Sequence, residues 1–404
     1  MVLPVLAMLM HVWAASGSAA AGAASATRAS LAGDRMRTTF ELDLTAGVTA
    51  EIYTLANPYR VVVDLPHVEF RLPDGTGQDG GGLVETFRYG LFAEDKARVV
   101  LDTKGPVRIE RAAMTAAEGG GVVFSFDLVT TDPASFGLGT GAGKAEAETA
   151  KPLAAPELPP DKPQPGGKPV VMIDPGHGGI DGGAVSSTNM LEKDVVLAVA
   201  KELKRQLAAS GRYDVQMTRT ADVFVSLDQR LNLSAKKGVD LFVSLHADSL
   251  SLDRGAATVR GATVYTLSER ASDEEARRMA EKENASDLIA GLNVVDGAGV
   301  DEVKDILFDL MKRETANFSA DLSNALVRKL KRVTPMARES QRAAAFKVLK
   351  QTHAPSVLIE LGYLSNAEDE KLLNSAPWRK KIAGAITEAV DTYFAKRTAN
   401  SPNP

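Results

Sequence analysis

Two histidines in this chain stand in short motifs that suit metal-assisted hydrolysis. In DPGHGG (174–179), His177 follows the apolar run KPVVMID (168–174), so it sits in a tight turn just past a strand. Loops at the carboxyl ends of strands are where open α/β sheets bind ligands. The flanking glycines let the backbone bend sharply and leave the imidazole uncrowded. LHADS (245–249) repeats the situation: Val243 and Leu245 alternate with Ser244 and His246, so His246 emerges at the end of a second strand on the same rim. The chain has five histidines (His11, His67, His177, His246 and His353) and no cysteine, so any metal must be held by imidazole nitrogen and carboxylate oxygen.

A catalytic zinc takes a third protein ligand and keeps one position open. Glu192 lies fifteen residues after His177 at the start of the next helix. Spacing alone leaves it open between a ligand and a first-turn acid that complements the helix dipole. Glu360 stands inside the apolar strand run SVLIELGYL (356–364). A carboxylate there is costly unless it has a partner, and a metal, a general-base role or a salt bridge would each supply one. Asp248, two residues beyond His246, is a candidate to orient a ligand by accepting a hydrogen bond. His353 reads as a turn residue and His67 as structural or solvated, and nothing in the sequence selects Arg219 or Arg230 as substrate contacts.

The elements that must position these groups fall into two regions. From Pro169 onward, strands at 168–174, 213–219, 240–248, 261–268 and 356–364 alternate with helices. One helix at 191–210 places Leu191, Val195, Val199, Leu203 and Leu207 on one face. This pattern predicts an α/β catalytic domain over 169–396, with a mostly parallel sheet flanked by helices. Before it, six short alternating runs (38–45, 50–57, 59–66, 97–104, 107–114 and 121–129) predict a small all-β sandwich over 36–131. A Pro-, Gly- and Ala-rich stretch, 132–168, reads as a linker. Residues 1–26 run apolar and then small, as a secretory signal peptide does, with cleavage expected after Ala24 or Ala26 and no membrane span thereafter. Within the second region a charged insertion, about 268–318, carries one helix at 272–290 and another beginning near 300. The net charge of −5, without a basic stripe, argues against nucleic acid as a partner.

DPGHGG with His177, LEKD with Glu192, SLHAD with His246 and VLIELGYLSN with Glu360 together resemble the zinc-dependent N-acetylmuramoyl-L-alanine amidases of bacterial cell division, in the family's order. The first region is similar to the AMIN domain that precedes many of these catalytic domains and holds them at peptidoglycan near the septum. The resemblance implies a periplasmic hydrolase, Zn²⁺ held by His177, Glu192 and His246, and Glu360 as general acid and base. The bond cut would be the amide between N-acetylmuramic acid and L-alanine. It further implies that the inserted helix covers the site until an activator of the LytM type removes it. Glu283 is then the first choice for an inhibitory contact with the metal and Glu281 the second, although EEARRMAEKE also reads as a solvated helix face. Two other readings remain: a catalytically silent relative that binds peptidoglycan and regulates other hydrolases, and a carboxypeptidase-type zinc hydrolase on a similar frame.

Overall fold

The computed structural model describes residues 24–117, 119–136, 167–249, 259–292, 302–351 and 353–400. Its contacts divide the chain into two compact units, and each has its own core.

The first unit is a β-sandwich. One sheet has five strands: β1 (Ala24–Gly33), β2 (Arg37–Leu44), β5 (Val68–Phe70), β8 (Val107–Ala116) and β9 (Val122–Thr130), in the order β5-β1-β2-β9-β8. The other has four: β3 (Glu51–Leu55), β4 (Arg60–Pro66), β6 (Val84–Ala93) and β7 (Lys96–Thr103), in the order β3-β4-β7-β6. Alternate residues of the two sheets, Phe40, Leu42, Phe124 and Phe126 against Val61, Val63, Val99 and Leu101, make the core. Three strands were not expected. β5 is too short to show alternation, bulges interrupt the pairing of β6, and β1 lies where small residues read as the end of a leader. Ala24 and Ala26 are buried and pair with Val68 and Phe70, which places the expected boundary at residue 26 inside a folded strand. The rest of the expected signal peptide and linker residues 137–166 lie outside the described residues. Residues 287–292, which follow the first helix of the insertion, pack with this unit: Arg60, Arg88 and Arg98 donate to the carbonyls of Leu288, Ile289 and Ala290.

The second unit is a three-layer α/β domain. Its sheet holds β10 (Val170–Pro175), β11 (Asp214–Met217), β12 (Leu241–His246), β13 (Ala262–Leu267), β14 (Met336–Ala344) and β15 (Ser356–Glu360). The order is β11-β10-β12-β15-β13-β14. The first four run parallel, and β13 and β14, parallel to each other, run against them. On one face lie α1 (Glu192–Ala209), α5 (Glu302–Leu330) and α7 (Ala376–Asn400), packed on Val171, Ile173, Val243 and Ile359. The opposite face, with Met172, Phe242, Tyr265 and Leu358, is covered by α2 (Leu227–Lys236), α3 (Glu274–Asn284) and the segment Phe346–Leu349. The short helix α6 (Ala367–Asn374) completes the set, whereas α4 (Ser286–Ile289) falls mostly in the first unit. The single predicted helix over 272–290 is thus two, α3 and α4, broken at Ala285, which caps α3. Among the described residues no helix is long and apolar enough to cross a membrane.

Candidate metal centre

Parallel pairing brings the predicted residues together. β10, β12 and β15 are neighbours with their carboxyl ends on one rim, and His246 stands directly beside Glu360 in the β12–β15 register. His177 follows β10 with φ +56°, and Gly178 and Gly179 continue the left-handed turn at +127° and +58°. An ordinary residue resists three such angles in a row, so the turn needs outside support. Two buried arginines supply it. Arg230 bonds the Asp174 carboxylate at 2.5 Å and the carbonyls of Pro175 and His177 at 2.8 Å each. Arg219 donates to the carbonyls of Pro175 at 3.1 Å and Gly176 at 2.8 Å. Both arginines therefore belong to the scaffold of the turn. Burial alone would push Asp174 up, but the Arg230 charge and hydrogen bonds from Thr218 and Ser244 hold it below the usual carboxylate range.

Glu192 is set just as firmly. α1 starts after Leu191 with no side-chain cap; instead, the Glu192 and Lys193 amides bond the carbonyls of Ala184 and Gly182. That frees the Glu192 carboxylate, which accepts from the amides of Ala184 and Ala247 at 2.8 Å each. A Cβ at Gly183 would lie 2.7 Å from both Glu192 and His177, and one at Gly176 would lie 2.4 Å from His246. Glycine is required at both positions for the three side chains to converge.

His177 Nε2 lies 3.2 Å from one Glu192 oxygen, and His246 Nδ1 lies 3.3 Å from the other. The ligand atoms of His177, Glu192 and His246 all fall within 4.8 Å of one another. Donors at ordinary zinc distances in a tetrahedron stand about 3.3 Å apart, so the spacing fits a single ion. Both nitrogens are buried and have no hydrogen-bond partner. His177 Nδ1 meets Asp181 Oδ2 at 2.9 Å, which fixes the tautomer and turns the Nε2 lone pair toward the cluster. Burial pulls the His246 pKa down, yet the carboxylates of Glu283 and Glu192 overrule it and push it up to about 10. An environment that draws a proton onto a fully buried imidazole is one that stabilises positive charge. The donor set, its geometry and its field all fit a divalent cation.

Glu360 is wholly buried, and burial pushes its carboxyl well above the usual range. Its Oε2 accepts from the Asp248 amide at 3.0 Å, while Oε1 has no partner. The insertion closes the cluster from outside. Ala276, Met279, Ala280 and Glu283 form the buried stripe of α3, and the Glu283 carboxylate lies 3.0 Å from His246 Nδ1 and 3.4 Å from His177 Nε2.

Residues 171–392 match the N-acetylmuramoyl-L-alanine amidase family, and residues 32–126 match the AMIN domain. The chain belongs to the N-acetylmuramoyl-L-alanine amidase family. It is 41% identical over 230 residues to the amidase AmiA of Escherichia coli K12, across 57% of this chain and 77% of that one. To AmiC of Neisseria meningitidis serogroup B it is 32% identical over 372 residues, across 88% and 87% of the two chains. Among solved structures, AmiC2 of Nostoc punctiforme is 26% identical and covers 57% of this chain and 98% of its own, with a TM-score of 0.40. The activity is that of a peptidoglycan amidase of the AmiA and AmiC kind.

Several side chains of this amidase differ from their sequence-based expectations. Glu281 is exposed and ion-paired with Arg277, so only Glu283 reaches the histidines. Asp248 touches neither imidazole; it is buried against Lys282 of α3, and burial with the nearby charges of Glu283 and Glu192 pushes it up to about 7. The carboxylate that does orient a histidine is Asp181, which the sequence reading missed although it stands four residues after His177 in GHGGID. Two others agree with theirs: His67, read as structural or solvated, is exposed, and His353, read as a turn residue, lies in a bend and contacts Ser234.

Proposed function

We propose that this amidase is a zinc enzyme that cuts the amide between N-acetylmuramic acid and L-alanine, and that α3 keeps it shut. What supports the reading is one observation: two partnerless imidazole nitrogens and the Glu192 carboxylate converge on a point that the Glu283 carboxylate also faces. His177, Glu192 and His246 would hold Zn²⁺, which as a Lewis acid polarises the scissile carbonyl and makes water a better nucleophile.

The chain's own groups do the rest. Glu360 takes a proton from the attacking water at its free Oε1 as the water oxygen bonds to the carbonyl carbon. The same carboxyl then delivers that proton to the L-alanine nitrogen as the C–N bond breaks. Its raised pKa suits both halves of this task, because a base tuned toward neutral pH also serves as an acid. Asp181 holds the His177 tautomer throughout.

With α3 in place, Glu283 stands where the scissile amide must enter. The physiological setting we infer is the cell wall outside the cytoplasmic membrane, with the AMIN domain on peptidoglycan, a role in septal splitting, and a LytM-type activator acting on the insertion. Mass analysis of digested peptidoglycan tests the reaction. Intact stem peptides with a free L-alanine amine are expected; shortened peptides still attached to the sugar would overturn it.

A further inference from the structure

α3 covers a groove on the sheet, and the groups its side chains face there, His177, His246 and Asp248, are all buried. Glu283 faces the two histidines, Lys282 pairs with Asp248, and Ser286, just beyond the helix, donates to Asp181 at 2.5 Å. At the opposite end of α3 two of its acidic groups meet a cation. Arg342 of β14 meets Glu275 at 2.7 Å and Asp273, the N-cap, at 3.5 Å. The Arg342 side chain is only 9% exposed, and its Nε and Nη1 have no aligned hydrogen-bond partner.

Arg342 belongs to the same groove as Glu360. It lies beside Tyr265 in the β13–β14 register, and Tyr265 lies beside Leu358 across β13 and β15. Paired residues share a sheet face, and Glu360, two positions after Leu358, shares it as well. When α3 leaves, Arg342 loses both carboxylates and faces the opened groove, a cation placed to take another anion. Helix rise places Glu275 about 12 Å from Glu283 along α3.

We propose that Arg342 is the subsite for a carboxylate of the peptide stem, and that Glu275 occupies it as a stand-in while α3 is docked. In these terms α3 is a cast of the substrate: Glu283 replaces the scissile amide and Glu275 replaces an acidic group further along the peptide. An extended peptide advances about 3.4 Å per residue, so a carboxylate on the second or third stem residue reaches this far. Arg342 thereby sets specificity for acidic over amidated stems. This inference rests on reading α3 as a removable plug.

The test uses the full chain carrying Glu283→Ala, with soluble muramoyl-peptides whose stem carboxylates are either free or amidated. The Glu283→Ala parent is expected to show a KM about tenfold lower for the free-carboxylate substrate. Adding Arg342→Gln should raise that KM about tenfold, leave kcat within a factor of two and abolish the preference; Arg342→Lys should keep part of it. Calorimetric titration of the released stem peptide should show the same loss of affinity without turnover. A preference that survives Arg342→Gln, or an equal KM rise on both substrates, overturns the subsite. Should Glu283→Ala fail to raise basal hydrolysis, the plug reading falls on its own, and the same substrate comparison in the unmodified chain still decides the role of Arg342.

Discussion

The rim that holds His177, Glu192 and His246 and the helix that covers it are fastened in different ways. The rim is fixed through backbone groups. Arg219 and Arg230 grip the carbonyls of Pro175, Gly176 and His177, and Glu192 is pinned by two amides. α3 is fastened mostly through side chains: Lys282 to Asp248, Glu283 to the histidines, and Arg342 to Glu275 and Asp273. Its apolar contribution is small, with Ala276, Met279 and Ala280 as its fully buried apolar residues. A part clamped by its backbone is permanent, whereas one held by a few charge pairs can be exchanged for a ligand that offers the same charges.

Breaking the rim should cost far more than loosening the helix. Glu360→Gln keeps the shape and removes the proposed base, so in a plug-free background kcat on peptidoglycan should fall by about 10²–10⁴, with melting temperature little changed. Activity within tenfold of the parent would contradict the assigned role. Arg230→Leu should destabilise the second unit by about 3–5 kcal/mol in chemical denaturation, because Asp174 is left buried without its counter-charge.

The pH dependence of that pair gives a sharper version. The folded-state pKa of Asp174 is lowered, so its contribution is present above its unfolded value near about 4 and is lost as pH falls through the folded value. The parent should therefore weaken on acidification through that window. Arg230→Leu should not weaken from this group, since protonation there relieves a stranded charge; equal acid slopes in the two proteins would refute the pairing. Asp181→Ala is the milder break: zinc affinity by competition with a chelator should drop about 10–100-fold. An unchanged affinity would remove Asp181 from the site.

The same contrast explains what the sequence disclosed. Rim residues were legible because β10, β12 and β15 are plain apolar runs, and a polar residue at the end or inside such a run stands out. His177, His246 and Glu360 all announce themselves in this way. Glu192 did not, because its role depends on the Ala184 and Ala247 amides, which come from other loops. Asp181 was hidden for a related reason: only the left-handed turn at His177 folds it back onto the imidazole. β14 escaped notice because its burial pattern in MARESQRAA is irregular and it forms a sheet edge. In α3, the alanines and methionine at positions 276, 279 and 280 outline a narrow stripe, and Glu283 takes the next place on it. That placement separates Glu283 from Glu281, and it was there to be read in the spacing.

The central claim is that α3 holds the site shut through Glu283. The most direct measurement is basal release of stem peptides from purified peptidoglycan, comparing the unmodified chain with Glu283→Ala in the presence of zinc and no activator. The account predicts a clear rise in the initial rate, about tenfold or more, with no loss of fold by circular dichroism. An unchanged or lower rate in a folded, zinc-loaded Glu283→Ala protein would contradict it.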